Sequence, residues 1–200
     1  MKVTIAIITR YEKINQRVSN AISFADEVII IVDSPVKKSK KAGKIVTHYR
    51  PLENDFASQR NFALKNARND WVLFIDDDEY VGTELAGEIL ELDPKTNYLG
   101  YLIRRTDVCF HQPLLHGETG NTKLLRLGKR TAGKFERPVH ETWKIDGGVG
   151  ELCSTLYHIK DNFVGGFIDR MSFYCPIDAG ALLIENKPFC FFAVYNLVFY

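Results

Sequence analysis

The sequence predicts an α/β domain built on a mainly parallel sheet flanked by helices. Three observations carry that prediction. Residues 3–8, 28–32 and 71–75 are continuous apolar runs, the first two rich in β-branched side chains, as expected of strands covered on both faces. Segments with apolar residues at helical spacing lie between them. Two of the three runs end directly in carboxylates, Asp33 and the group Asp76, Asp77, Asp78 and Glu79. Open α/β sheets bind ligands at the carboxyl ends of their strands.

Taken in order, residues 3–8 form the first strand. Ile14, Val18, Ala21, Ile22 and Ala25 recur at helical spacing, and residues 28–32 form the second strand, closed by Asp33-Ser34-Pro35. The run Lys37, Lys38, Lys40, Lys41 and Lys44 reads as a solvated loop, and 44–49 as a third strand. Asp55 is placed to cap a helix burying Phe56, Phe62, Ala63 and Ala67. Residues 71–75 are the fourth strand and 83–92 a short helix stopped by Pro94. The β-α-β-β-α-β-α order implies a right-handed α/β sheet through about residue 95. Beyond it, 98–104, 122–127 and 139–145 are short strand candidates. Helix returns over 162–184 with an interruption near Pro176, and the chain closes on the apolar PFCFFAVYNLVFY.

Composition narrows the class. The chain has 200 residues, 46% hydrophobic and 26% charged, with a net charge of +1. That balance gives no global attraction to nucleic acid. The four cysteines show no CxxC spacing, so free thiols in a reducing cytoplasm are expected. The N-terminal apolar run is too short for a secretory signal, and no apolar stretch reaches the roughly 20 residues of a membrane span.

The acidic group after the fourth strand raises the chemical question. Adjacent carboxylates repel, and a simple turn needs only one, so a positive partner is expected there. A D-x-D pair can hold a hard divalent cation through oxygen ligands, and such an ion can neutralise a departing diphosphate. A calcium loop is excluded. Counted from Asp76, positions five, six and twelve are Tyr80, Val81 and Gly87.

The segments VTIAIITRYEK, ADEVIIIVDSP and DFASQRNFALKNARNDWVLFIDDDEYV together resemble family 2 glycosyltransferases, which have the GT-A fold. The matching positions are Thr9 to Glu12, Asp33, Gln59 to Leu64, and Asp76 to Glu79, with Tyr11 where the family has Asn. Further on, His116-Gly117-Glu118, Lys123 to Leu127 and Val139-His140-Glu141 are similar to a subgroup that includes the lipopolysaccharide-core β-1,4-glucosyltransferases. There Glu118 replaces a Gly. The resemblance implies a GT-A-like domain over 1–160, with a nucleotide-sugar-binding half (1–95) and an acceptor-side half (96–160). It also implies that the C-terminal helical and apolar segment 161–200 is cut short relative to family members.

It further implies an inverting, metal-dependent hexosyl transfer using Mg or Mn. The donor would be a nucleotide-diphosphate sugar, with a UDP-sugar favoured, and the acceptor a saccharide or envelope glycolipid. Thr9 and Arg60 would lie on the donor, Asp33 would meet the base, and Glu12 the base or ribose. Asp76 and Asp77 would contact donor or metal-bound water, and Asp78, with Asp76, would hold the metal. Glu141 would be the general base, since attack by a hydroxyl needs a carboxylate to take its proton. His140 would orient it, and Glu118 is the rival base. His158 is a late metal-ligand candidate and Trp143 a sugar-stacking or core aromatic. Arg126, alternating with Leu125 and Leu127, points away from both. Family acceptors place the protein in the cytoplasm, at the inner face of the membrane, with peripheral contact through the lysine run or the apolar tail.

Other readings stay open. Transfer to a polyprenyl phosphate would need no strong base. A non-catalytic nucleotide-sugar-binding module would bind donor without turnover. A nucleotidyltransferase would want a Gly-rich phosphate loop after the first strand, where TRYEKINQ has no Gly.

Overall fold

Strand β1 (Val3–Thr9) pairs in parallel with β2 (Glu27–Val32) on one side and β5 (Trp71–Asp76) on the other. This core contains the three apolar runs of the sequence. The computed structural model describes residues 1–116, 122–160 and 163–185, with side chains 163, 164, 166, 167, 169 and 170 outside the description. Strand β4 (Ile45–Tyr49) extends the parallel set beside β2, and β3 (Lys37–Ala42) closes that edge antiparallel to β4. On the other side of β5 the sheet continues through β9 (Thr122–Lys129), β7 (Gly100–Cys109), β12 (Val149–Lys160) and β6 (Glu79–Val81). Short β8 (Gln112–Pro113) pairs with β7. The β5–β9, β9–β7 and β12–β6 pairings are antiparallel and β7–β12 is parallel. The sheet is therefore mixed, with its parallel core in the first half.

Alternation in the strands divides the core between two faces. Val3, Ile5 and Ile7 pack with Leu73, Ile75, Val18, Leu85 and Ile89, under α1 (Ser19–Phe24) and α3 (Thr83–Glu91). Ala6, Ile29, Val72 and Phe74 pack on the opposite face against α2 (Phe56–Asn66) and the β10 (Gly133–Glu136)–β11 (Thr142–Ile145) hairpin. Asp55 caps α2 as expected, its carboxylate accepting from Ser58 N at 2.8 Å. Trp143 is a core aromatic, 3% exposed, stacked on Phe135 at 4.9 Å and edge-on to Phe74 at 5.4 Å. It lies so close to β9 that a Cβ on Gly128 would stand 2.9 Å from its ring.

Four expectations change. The lysine run is an edge strand, β3, exposed along its length. Unpaired strand edges are commonly protected by lysines in this way. Residues 139–141 are not strand. The β11 strand begins at Thr142, after a segment in which Arg137 (φ 72°) and His140 (φ 51°) are left-handed. The first helical segment divides into a 3-10 turn (Gln16–Val18) and a six-residue α1. Pro176 does not interrupt the last helix, α4 (Phe163–Ile184). It sits on the solvent side, where the carbonyl it leaves unbonded can meet water. Gly117, Glu118 and the apolar residues 186–200 lie outside the described residues. No described helix is long and apolar enough to cross a membrane.

Candidate active site

The parallel register brings the acidic strand ends together. Ile8 is opposite Asp76 and Thr9 opposite Val32, so Thr9, Asp33 and Asp76 share one edge. Asp33 N donates to Thr9 O at 2.8 Å, and Thr9 Oγ1 donates to Asp77 Oδ2 at 2.5 Å. Asp33 Oδ1 accepts from Leu52 N at 2.8 Å, tying the loop before α2 to the same edge.

The four consecutive acids occupy one turn but divide among several partners, with Arg126 shared by Asp76 and Glu79. Asp76 meets Arg60 Nη2 at 3.0 Å and Arg126 Nη2 at 2.7 Å. Burial raises its pKa, but the two guanidiniums more than reverse this and hold it well below the usual carboxylate range. Asp77 turns to Thr9, and burial raises its pKa, helped by Asp78 and Asp76. Asp78 Oδ2 lies 3.1 Å from His158 Nε2. Glu79 is fully buried. It accepts from Asp76 N at 2.9 Å and from Arg126 at 3.1 Å, with Arg105 at 3.9 Å. The positive partners that the acidic run demanded are thus, in the first place, side chains of the chain itself.

His158 is brought to Asp78 by the β12–β6 pairing, in which His158 faces Glu79 and Ile159 N bonds Asp78 O. Its other nitrogen, Nδ1, is 2.8 Å from Asp107, which also holds Lys160. Burial lowers the pKa of His158, but Asp107 and Asp78 outweigh it and push it up to about 9. Asp107 is correspondingly down at about 2, burial being overcome by His158 and Lys160.

Glu141 approaches the acids from the segment between β10 and β11. Arg60, on α2 and 4% exposed, donates through Nε to Glu141 at 2.5 Å while its Nη2 holds Asp76. One guanidinium thus joins the donor-side acids to the candidate base. His140 is exposed, its ring 6.5 Å from Tyr174 of α4. Tyr174 also contacts Phe56 at 5.9 Å, and Arg10 lies over Phe173 at 4.8 Å, so α4 touches both sides of the acidic edge. Burial raises the pKa of Tyr174, with Arg10 opposing and Asp76, Glu141 and Asp78 adding to the rise. A groove of about 480 Å³ runs between α4 and Pro138.

The structure therefore gathers Thr9, Asp33, Arg60, Asp76, Asp77, Asp78 and Glu141. It does not gather Glu12, which is exposed and paired with Lys37 at 3.1 Å and Lys40 at 3.8 Å of β3. Both Asp76 carboxylate oxygens are on arginines, so the acid of the D-x-D pair turned toward a metal-ligand partner is Asp78. Among the described residues no three His, Cys, Asp or Glu side chains form a ready metal cage. The Asp78–His158 pair still suits a divalent cation. Asp78 and His158 are oxygen and nitrogen donors of the kinds that hold such ions, here hydrogen-bonded to each other at 3.1 Å, and Asp107 orients the imidazole. Sequence reasoning missed Arg105 and Asp107, and it left Arg126 without a partner, only pointing away from Leu125 and Leu127. The Leu125-Arg126-Leu127 alternation shows which way Arg126 points but not that the side is buried.

A family model described as Glycosyl transferase family 2 matches residues 3–144. An uncharacterized glycosyltransferase of Rickettsia bellii is 33% identical over 206 residues, covering 93% of this chain and 69% of the relative. One of Rickettsia typhi is 26% identical over 208 residues, covering 94% and 70%. Among solved structures, S. aureus TarS in complex with UDP-GlcNAc matches with a TM-score of 0.55 at 17% identity, over 81% of this chain and 59% of that one. GalNAc-T7 with UDP, GalNAc and Mn2+ matches at 0.56 and 12% identity, over 80% and 44%. The structural likeness is one of fold, and the fold is GT-A-like.

Proposed function

The chain belongs to glycosyl transferase family 2, and from that premise we propose that it moves a sugar from a nucleotide-diphosphate sugar to an acceptor hydroxyl, with inversion at the anomeric carbon. The observation that carries this reading is the Arg60 bridge between Asp76 and Glu141 at the strand ends. It puts a carboxylate able to take a proton beside the edge where α/β sheets hold nucleotides.

In this reading Asp33 and Thr9 orient the nucleoside end of the donor, and Asp76 is a fixed anion positioned by Arg60 and Arg126. Arg60 Nη1 is buried with no hydrogen-bond partner among the described residues, on a guanidinium that lies over the Phe74 and Phe135 rings. Glu141 accepts the acceptor hydroxyl's proton as its oxygen attacks. Asp78 and His158 would hold Mg or Mn, which when bound supplies charge neutralisation for the departing diphosphate. A UDP-sugar is the favoured donor, supported by the UDP-GlcNAc and UDP complexes of the matched folds. The acceptor class, a saccharide or envelope glycolipid at the cytoplasmic membrane face, rests on the resemblance of the 116–118, 123–127 and 139–141 segments to the lipopolysaccharide-core subgroup.

A second reading draws on the same ion pair. Arg60 Nε occupies Glu141 Oε1, and a polyprenyl-phosphate acceptor that is already ionised needs no free carboxylate to take a proton. The test is UDP release from a panel of UDP-sugars with hydroxyl and polyprenyl-phosphate acceptors, for wild type and Glu141→Gln. Loss of transfer to hydroxyls in the variant supports the first reading, and unimpaired transfer to the phosphate supports the second.

A further inference from the structure

Glu141 is presented by a segment that the sheet alone does not hold. Between β10 and β11 the chain runs Arg137-Pro138-Val139-His140-Glu141, and two of these five residues are left-handed. Non-glycine residues persist in that conformation only where their surroundings impose it. One restraint is Pro138 O, which accepts from Phe56 N at 2.8 Å at the start of α2. Another is Val139, 1% exposed. The restraint on Arg137 comes from α4. Its Nη2 bonds Asp178 at 3.1 Å, and its Nε lies 2.8 Å from Glu185. Residues 178 and 185 are two turns apart on one helix face, and Tyr174, beside His140, is one turn before Asp178 on that face. Asp178 is itself 6% exposed, a buried carboxylate whose charge calls for a cation.

We propose that Asp178 is a positioning residue for the transfer: through Arg137 it locks the left-handed entry to the 137–141 segment and so sets where Glu141 stands. The helix after the sheet is then part of the catalytic geometry, although it supplies no group to the reacting atoms. This rests on the reading of Glu141 as the base.

The experiment compares wild type, Asp178→Asn and the charge-swapped Arg137→Asp/Asp178→Arg protein with Glu185→Gln added, since Glu185 would otherwise face a carboxylate at position 137. Hydrogen–deuterium exchange is followed on the peptide covering 137–145, UDP release at saturating UDP-sugar, and UDP affinity with Mn. Asp178→Asn is expected to speed exchange in that peptide by about tenfold or more while the β1–β2–β5 core is unchanged. Turnover should fall by about tenfold with UDP affinity within about twofold, and the swap should recover both. In a Glu141→Gln background Asp178→Asn should cause no further loss, because both act through one group. Unchanged exchange, or an equal further loss in the Glu141→Gln background, would overturn the proposal. If Asp178→Asn does not fold, Arg137→Gln carries the same exchange test from a partly exposed side chain. A wild type that turns over no UDP-sugar would sink the base reading, while the exchange result still decides whether Asp178 holds the segment.

Discussion

Arg60 and Glu141 are ion-paired at 2.5 Å across 81 positions of chain, and the same guanidinium holds Asp76. A helix residue thus fixes the distance between the acidic strand ends and the carboxylate proposed as base. Replacing Glu141 by Gln keeps the shape and removes the proton acceptor. Turnover with a hydroxyl acceptor should fall by roughly 10²–10⁴, with UDP affinity little changed, as read by steady-state UDP release and titration calorimetry.

Arg126 is expected to act through stability. It is 7% exposed and balances both Asp76 and the fully buried Glu79. Its removal leaves the fully buried Glu79 with only Arg105 at 3.9 Å, while the partly exposed Asp76 keeps Arg60. Arg126→Gln should cost about 3–5 kcal/mol in urea unfolding, near the loss expected for any broken buried ion pair. Lys37→Gln, which breaks an exposed pair with Glu12, should leave the urea midpoint within error.

The Asp107–His158 contact gives a pH signature in metal-free protein. The folded pKa of His158 is raised from 6.5 to about 9. Its stabilisation is therefore complete below the unfolded value and disappears as pH rises through about 9. Asp107→Asn removes the nearest raising partner. The stability gap between wild type and this variant should be widest below pH 6.5, narrow between pH 6.5 and about 9, and stay flat above. A gap that widens with pH would show the opposite linkage.

The same proton would compete with a metal in the proposed Asp78–His158 site. Binding an ion to the imidazole requires its deprotonation, so Mn affinity should rise with pH by up to about tenfold per unit and level off near pH 9. His158→Gln should weaken Mn binding and flatten that slope. Equal slopes in the two proteins would move the ion away from His158.

Legibility in the sequence followed the range of the interactions. Strands β1, β2 and β5 were readable because burial on both faces writes itself as unbroken apolar runs. The Asp55 cap was readable because it acts three residues away. Strand β12 escaped notice because VGELCSTLYHIK alternates around polar and partly exposed residues, and β3 because its lysines look like loop. The acidic run was correctly marked as needing positive charge. Its partners Arg60, Arg126 and His158 come from 16, 50 and 80 positions away, a pairing that only the folded sheet reveals. Glu12 shows the converse. Its place after β1 suggested the nucleotide, but the neighbouring lysines of β3 claim it.

The strand-end acids are proposed to form a metal-assisted nucleotide-sugar site. Calorimetric titration of UDP, GDP and ADP, with and without Mn, on wild type and Asp78→Ala tests it most directly. The account predicts that UDP binds wild type only with Mn, more tightly than GDP or ADP, and that Asp78→Ala loses this binding while remaining folded. A folded wild type that binds no nucleotide, or an Asp78→Ala protein that binds UDP with Mn as well as wild type does, would contradict it.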